Sequence, residues 1–526
     1  MAGDERADRS GSRLVLIAMI FAVSMMFIDQ TIVAIAAPEL QADLGLSETG
    51  VQWIINGYLL SLSALFAFGG RLADVVGHKT MVIVGVAIFA TSSALCGATP
   101  ADSSISEAWI IVFRVIQGAG AALMFPAALA IVLAAFPIEG RGKALAAFFG
   151  ITGALTAVGP FAGGYLTEWT WRSIFWINIP VAIVALVLTA RAVTDNERRP
   201  APIDYRGLVL IAGGMGLAVL GLQQASNWGW TSAATLGCIV VGLVLLALFA
   251  RHALSTENPL IRLRFFQSRA FTVDVLVVGL LMVVFVPICF FASTYAQISL
   301  GEDASNAGLF LLVYFGGFGI ATQWGGRILD KTGARPTVVA GGIIGAVGLY
   351  LWARSIPDLD FSNEWYWLAM AGAGAGLILS PASTDAMNRV PGSAYGEVTG
   401  LAQTVRNFGS SLGLAILGSI LITQTRSNIE DSFAASGLPQ EAADDVAASL
   451  SDPAAATAGA SDAPREIVED VKKLFENGTI AADYADATQT VVYVMAGTMA
   501  AIFLFALARL PGGRVAPDTP PEVTGD

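Results

Sequence analysis

The sequence predicts an all-α membrane protein: fourteen spanning helices, as two six-helix bundles with two more helices inserted between them. Three observations lead there. Of 526 residues, 55% are hydrophobic and only 13% charged, against about 25% charged in soluble domains, and a soluble surface this apolar would aggregate. Second, Gly69-Gly70-Arg71-Leu72-Ala73-Asp74-Val75-Val76-Gly77-His78-Lys79 is echoed by Gly325-Gly326-Arg327-Ile328-Leu329-Asp330-Lys331-Thr332-Gly333-Ala334-Arg335. Each copy links two long apolar runs, so the chain carries a duplicated membrane unit, as many secondary transporters do around a central site. Third, Lys and Arg alternate by loop. With the N-terminus inside, the outer segments hold only Arg172, Arg354, Arg426, Arg465, Lys472 and Lys473, as the positive-inside rule requires.

A spanning helix needs about 20 mostly apolar residues. Residues 1–13 form a cytoplasmic N-terminus. The apolar run Leu14–Ala37 is too long for a secretory leader and is interrupted by Asp29, so it reads as an uncleaved first span. A carboxylate at that depth costs about 2.5–3.5 kcal/mol on insertion scales and should face protein or a water-filled cavity. Span 51–71 carries Trp53, Asn56 and Tyr58, candidates to line a cavity, and runs into the first copy of the repeated turn. Span 81–98 follows. Span 109–134 carries Arg114 about one turn in, with Gln117 a turn further. Arg keeps its proton, so Arg114 suits stabilising an ionised acid rather than carrying the proton itself. Span 144–166 holds Gly153, Gly159, Pro160, Gly163 and Gly164. Gly159 and Gly163 share a face and give a smooth packing strip, and Pro160 permits a bend. Span 172–192, entered through Trp169, Trp171 and Arg172, closes an N-terminal bundle over 14–192.

The repeat sets the second bundle. The first turn joins spans two and three and the second joins ten and eleven, so spans 207–225 and 233–251 form an insertion, within 193–270. Spans 271–295, 306–326, 337–353, 365–386, 399–422 and 489–508 make a C-terminal bundle over 271–508. The run Gly372-Ala373-Gly374-Ala375-Gly376 echoes Gly118-Ala119-Gly120-Ala121 in the matching span. Polar groups in the later spans are Gln297, Gln323, Asp385 and Arg406; Asp274 and Asp385 fall near cytoplasmic ends, where solvated positions are expected. Residues 423–488 form an acidic, Ala-rich outer loop, with Gln440–Leu450 and Ala463–Asn477 as possible amphipathic helices. Residues 509–526 form a Pro-rich, disordered cytoplasmic tail.

Five of these segments resemble the major facilitator superfamily, specifically its fourteen-helix drug:proton antiporter branch, over nearly the whole chain. They are Ile28 to Pro38, the turn Gly69 to Lys79, Arg114-Val115-Ile116-Gln117-Gly118-Ala119-Gly120-Ala121, Gly153 to Gly164 with Gly159-Pro160-Phe161-Ala162-Gly163-Gly164 inside it, and Trp169-Thr170-Trp171-Arg172-Ser173-Ile174-Phe175-Trp176-Ile177-Asn178-Ile179-Pro180. Ala34 stands where the branch usually has Asn, and Val75 and His78 where cations are common. The resemblance implies proton coupling by Asp29 and Arg114. It implies a gate latch built from Gly70, Asp74, Gly77 and Lys79 with Asp330 and Arg335 in the second copy, and an antiport motif at Gly153–Gly164. The Trp-Arg run reads as chiefly structural. Gln117, Gln297 and Arg406 join Trp53, Asn56 and Tyr58 as candidate cavity residues.

No enzyme constellation is present in the sequence. His78 and His252 both fall in predicted cytoplasmic loops, Cys96, Cys238 and Cys289 lie in separate apolar runs, and no metal spacing, nucleophile elbow or phosphate loop occurs. No cofactor, metal or nucleic-acid partner is expected. The partners are the bilayer, protons and a small amphipathic substrate, cationic ones included, handled by a monomer in the cytoplasmic membrane. Export of a natural product, siderophore or lipid would use the same machinery, and a sensor or scaffold binding through the outer loop is the alternative of another class.

Overall fold

The computed structural model describes residues 2–101, 104–136, 138–193, 202–389, 395–436, 474 and 477–513. Most of the expected outer loop, including Gln440–Leu450, and the tail beyond residue 513 lie outside them. Fourteen long helices follow in order: α1 (Ala2–Ile35), α2 (Glu48–Val76), α3 (His78–Gly97), α4 (Ser106–Ala135), α5 (Ile138–Thr167), α6 (Asn178–Ala192), α7 (Tyr205–Gln223), α8 (Ala233–Ser255), α9 (Arg269–Phe285), α10 (Ala304–Thr332), α11 (Ala334–Ser355), α12 (Trp365–Asn388), α13 (Tyr395–Ala435) and α14 (Thr479–Arg509). Helix α9 continues past Val286 as Pro287–Ile298, where the proline ring removes a helical donor. By length and composition, twelve helices among the described residues are apolar enough to cross a membrane. Helices α5 and α12, at the other two positions of the expected fourteen, are not among those twelve.

Side chains set several helix starts. Ser47, Asp204, Ser232, Ser268 and Asp303 each accept a backbone N–H at the head of α2, α7, α8, α9 and α10, satisfying donors that a helix leaves open. The repeated turn is the same device twice. Gly77 (φ 113°) ends α2 and starts α3; Gly333 (φ 87°) does so for α10 and α11. Only glycine takes such angles without strain.

The two bundles pack alike. In the first, α4 lies against α2 and α3, and α1 against α4, α5 and α6. In the second, α12 lies against α10 and α11, and α9 against α12, α13 and α14. The Gly-Ala echo makes these contacts close. Gly118 meets α2 backbone at Tyr58 and Gly120 meets α3 at Phe89, while Gly372 meets α10 at Tyr314 and Gly374 meets α11 at Gly345. The halves touch along two seams related by the repeat, α2 against α13 and α5 against α10, and the inserted α7 covers the first. Helix α8 packs on α7 and exposes Leu236, Val240, Leu243, Val244 and Leu248, as a lipid-facing helix should.

The two ends of the bundle are called here the turn face, carrying Gly77 and Gly333, and the loop face, carrying residues 36–47 and 356–364. Several expectations change. Helix α13 runs on to Ala435 and α14 begins at Thr479, so the loop expected at 423–488 is shorter at both ends. Ile429 and Phe433 are buried, one helical turn apart, and carry the helix past the apolar run. His78 and His252 stand at helix ends rather than in loops: His78 opens α3, and His252, in the last turn of α8, bonds Asp204 at 2.8 Å.

Candidate functional site

Helix α1 places Asp29 six residues before its loop-face end at Ile35, about 9 Å deep at the helical rise. Helix α4 starts at Ser106, so Arg114 stands two turns in rather than one. The two side chains meet. Arg114 Nη1 donates to Asp29 Oδ2 at 2.5 Å and to Gln117 Oε1 at 2.8 Å, Gln117 Nε2 donates to Asp29 Oδ1 at 2.9 Å, and Arg114 Nε donates to the Ile54 carbonyl at 2.8 Å. Asp29 is 1% and Arg114 0% exposed. Asp29 therefore has the polar partner that Ala34 does not supply. The pair is charge-balanced, and both carboxylate oxygens are hydrogen-bonded. Removing one member of such a buried pair costs about 3–5 kcal/mol.

The expected cavity residues divide. Tyr58 is fully buried, with its ring 4.4 Å from the Arg114 guanidinium carbon and its hydroxyl donating to the Met26 carbonyl at 3.4 Å, so it walls the ion pair. Asn56 lies on the α2–α13 seam, where its amide contacts the Ser411 hydroxyl, the Ser411 carbonyl at 3.2 Å and Gln223 of α7 at 2.5 Å. Trp53 is half-buried. Gln297 Nε2 donates to the Ile35 carbonyl at 3.1 Å and ties the two halves at the loop face. Arg406 shares a face of α13 with Gln403 and Ser410, is half-buried, and forms no ion pair with a described residue. Next to it Asn407 Oδ1 accepts from Gln30 of α1 at 3.4 Å.

The glycines of α5 pack as their spacing requires. Gly159 meets α1 at Thr31 and Ile28, and Gly163 meets it at Ile32; Gly164 faces the Ala304 carbonyl at the head of α10 across the seam. Gly308 of α10 meets the Pro160 carbonyl in return. Gly153 lies within α5. In the turn, Gly70 lies against Pro126 of α4, Asp74 pairs at 3.3 Å with His78, and Lys79 Nζ donates to the Ala190 carbonyl at 3.2 Å. These contacts stay inside the N-terminal half. Arg335 Nη2 donates to the Leu507 carbonyl at 2.8 Å, within its own half; the Asp330 side chain lies outside the described residues. In the Trp-Arg segment, Arg172 donates to the Gly97 and Thr99 carbonyls, and Asn178 donates to Ser93.

Sequence reasoning missed three groups. Ser63 donates to the Thr404 carbonyl at 2.9 Å on the seam, and Gln223 reaches Asn56 from the inserted pair. Glu364, 0% exposed beside the loop face, accepts from Tyr295 at 2.6 Å and Trp352 at 2.9 Å. Burial pushes its carboxyl up to about 7, against the pull of those two hydrogen bonds. Asp274 and Asp385 correct the sequence expectation outright. Both are buried rather than solvated, because α9 and α12 pack face to face where each carries its acid.

Comparison with known proteins agrees with this architecture. The family described as Major Facilitator Superfamily matches residues 19–414. The chain is 33% identical over 428 residues, 81% of its length and 79% of the relative's, to the tetracenomycin C resistance and export protein of Streptomyces glaucescens. It is 31% identical over 426 residues, 79% of its length and 83% of the relative's, to the puromycin resistance protein pur8 of Streptomyces alboniger. In fold it is similar to the crystal structure of a bacterial homolog of the human lysosomal transporter Spinster. The TM-score is 0.64 and the identity 18%, over 95% of this chain and 98% of that one. With its all-helical repeat, twin seams and buried ion pair, the chain belongs to the Major Facilitator Superfamily and is a membrane transporter rather than an enzyme.

Proposed function

We propose that the chain is a proton-coupled antiporter that exports amphipathic small molecules, drugs or antibiotics among them, across the cytoplasmic membrane, with both termini inside. One observation carries the reading: the Asp29–Arg114–Gln117 cluster is the charge-balanced buried site of the N-terminal half, on the helix that α5 contacts through Gly159 and Gly163. A proton arriving at Asp29 cancels its charge and breaks the pair with Arg114. Rocking of the halves about the α2–α13 and α5–α10 seams would then expose Asp29 to one side or the other. An ion gradient is the energy source that suits it, since one charge crossing 100 mV supplies about 2.3 kcal/mol. The export direction is supported by the Gly159–Gly164 segment and by the two relatives' printed names, one a resistance and export protein and the other a resistance protein. Sidedness is supported by the basic residues of the turn face, Arg71, Lys79, Arg327, Lys331 and Arg335 among them.

Everted vesicles holding the protein test this. They should accumulate a fluorescent amphipathic drug when the lumen is acid and stop when a protonophore collapses the gradient. Accumulation that survives the protonophore overturns proton coupling; an absence of gradient-driven movement across a broad drug panel overturns the drug-export reading.

A further inference from the structure

The repeat places α9 and α12 where the first half has α1 and α4. In each half this pair of helices buries a carboxylate against an arginine, but at opposite ends of the membrane. Asp29 and Arg114 lie toward the loop face. Asp274 lies five residues into α9 from the turn face, and Asp385 lies four residues before Arg389 at the turn-face end of α12.

The two clusters differ in charge. Arg114 faces one acid; Arg389 faces two. Arg389 Nε donates to Asp385 Oδ2 at 2.7 Å and stands 3.6 Å from Asp274 Oδ2, too far for a hydrogen bond. Asp274 is 0% exposed and neither of its oxygens has a hydrogen-bond partner; Asp385 is 2% exposed. Fully ionised, the trio would carry an uncompensated negative charge in a low-dielectric site, on a carboxylate without a donor. Like-charged carboxylates at close range cannot both ionise without a large penalty.

Other charged groups near the pair do not balance it. Among the described side chains on the turn-face half of α13, the charged one is Arg406. The segment Leu263–Gln267 brings Arg264, α9 itself Arg269, α10 Arg327 and Lys331, and α11 Arg335. None of these forms an ion pair with either carboxylate. The charges of α14 sit at its ends, Asp483 and Asp486 at the loop face and Arg509 at the turn face. A metal ion is a poor substitute, because the fixed guanidinium repels it and calcium takes six to eight oxygens.

We propose that Asp274 and Asp385 form a second proton-binding site, holding one shared proton at the turn-face end of the C-terminal half. The proton supplies the donor that Asp274 lacks and leaves one carboxylate to pair with Arg389. The transporter thus has a protonatable site toward each membrane face, one in each half. The inference stands apart from the role of Asp29 in drug export.

Carbodiimide labelling of the full-length wild-type protein in liposomes tests it, because a hydrophobic carbodiimide modifies buried carboxyls only when protonated. Peptide mass spectrometry should find label on Asp274 or Asp385 at pH 6. Above the pair's apparent pKa the labelling should fall about tenfold per pH unit, and sodium should not change it. An infrared spectrum supplies the second reading: the protonated-carboxyl band should lose intensity in Asp274→Asn and again in Asp385→Asn, and keep this component in Asp29→Asn. Absence of label on both residues across the pH range, or protection by sodium, overturns the proposal. So does an infrared band unchanged in both variants.

Discussion

Gly164→Ala should wedge the halves apart at the loop face. A Cβ at Gly164 would stand 2.5 Å from the Ala304 carbonyl oxygen and 2.8 Å from Ser305 Cα, both backbone atoms of the opposite half. Ordinary contact begins near 3.4 Å, so α5 and α10 must separate by roughly 0.9 Å there. Overpacking of this kind costs about 1–3 kcal/mol. That cost falls on any state in which these helices touch and vanishes once the loop face opens, so it moves the conformational balance by roughly 5- to 150-fold. Nitroxides on Glu168→Cys and Asp358→Cys, both exposed at the loop face, report the separation by double electron–electron resonance, in a background with Cys238→Ser. Gly497→Ala is the matched control, since nothing lies within 4 Å of its Cβ. The long-distance population should grow in Gly164→Ala and stay fixed in Gly497→Ala. Identical distributions in the two variants would refute the idea that Gly164 permits closure.

Three further outcomes are expected. Glu364 keeps its proton up to about 7 in the folded protein, against an ordinary 4.5; the folded state holds the extra proton, so stability falls as pH rises through that window, by about 3 kcal/mol. Thermal unfolding in micelles should show this slope in the wild type and a flatter one in Glu364→Gln. Arg406→Gln should weaken transport of carboxylate-bearing compounds about tenfold or more, the worth of a charge-assisted hydrogen bond, and leave neutral ones nearly unchanged, read as KM in vesicles. Gly77→Ala, at φ 113°, should lower stability by about 1–3 kcal/mol, seen as a lower unfolding temperature than Gly497→Ala.

The fold was legible because a membrane chain writes it in long apolar runs and because this chain writes it twice. The Gly118 and Gly372 runs pack alike, and Gly77 and Gly333 turn alike. Asp29 and Arg114 were legible as a pair because each is a lone charge within an apolar run. Asp274 was not, since its place three residues inside the predicted start of its span gives depth and not direction; only the packing of α9 on α12 shows that it points inward. The signal was available in the repeat, as acids and an arginine on the helices that match α1 and α4. Glu364 was missed because it sits in a short polar connection, where the sequence gives no sign that Tyr295 and Trp352 close over it. The helical extension to Ala435 could have been read from Thr425, Ile429 and Phe433, four apart and all buried.

Proton movement during export tests the central claim most directly. In liposomes loaded with a pH-sensitive dye, adding substrate to the wild type should drive protons across the membrane opposite to the drug, and Asp29→Asn should bind the drug without any proton signal. Substrate-driven proton flux of wild-type size in Asp29→Asn would contradict the account.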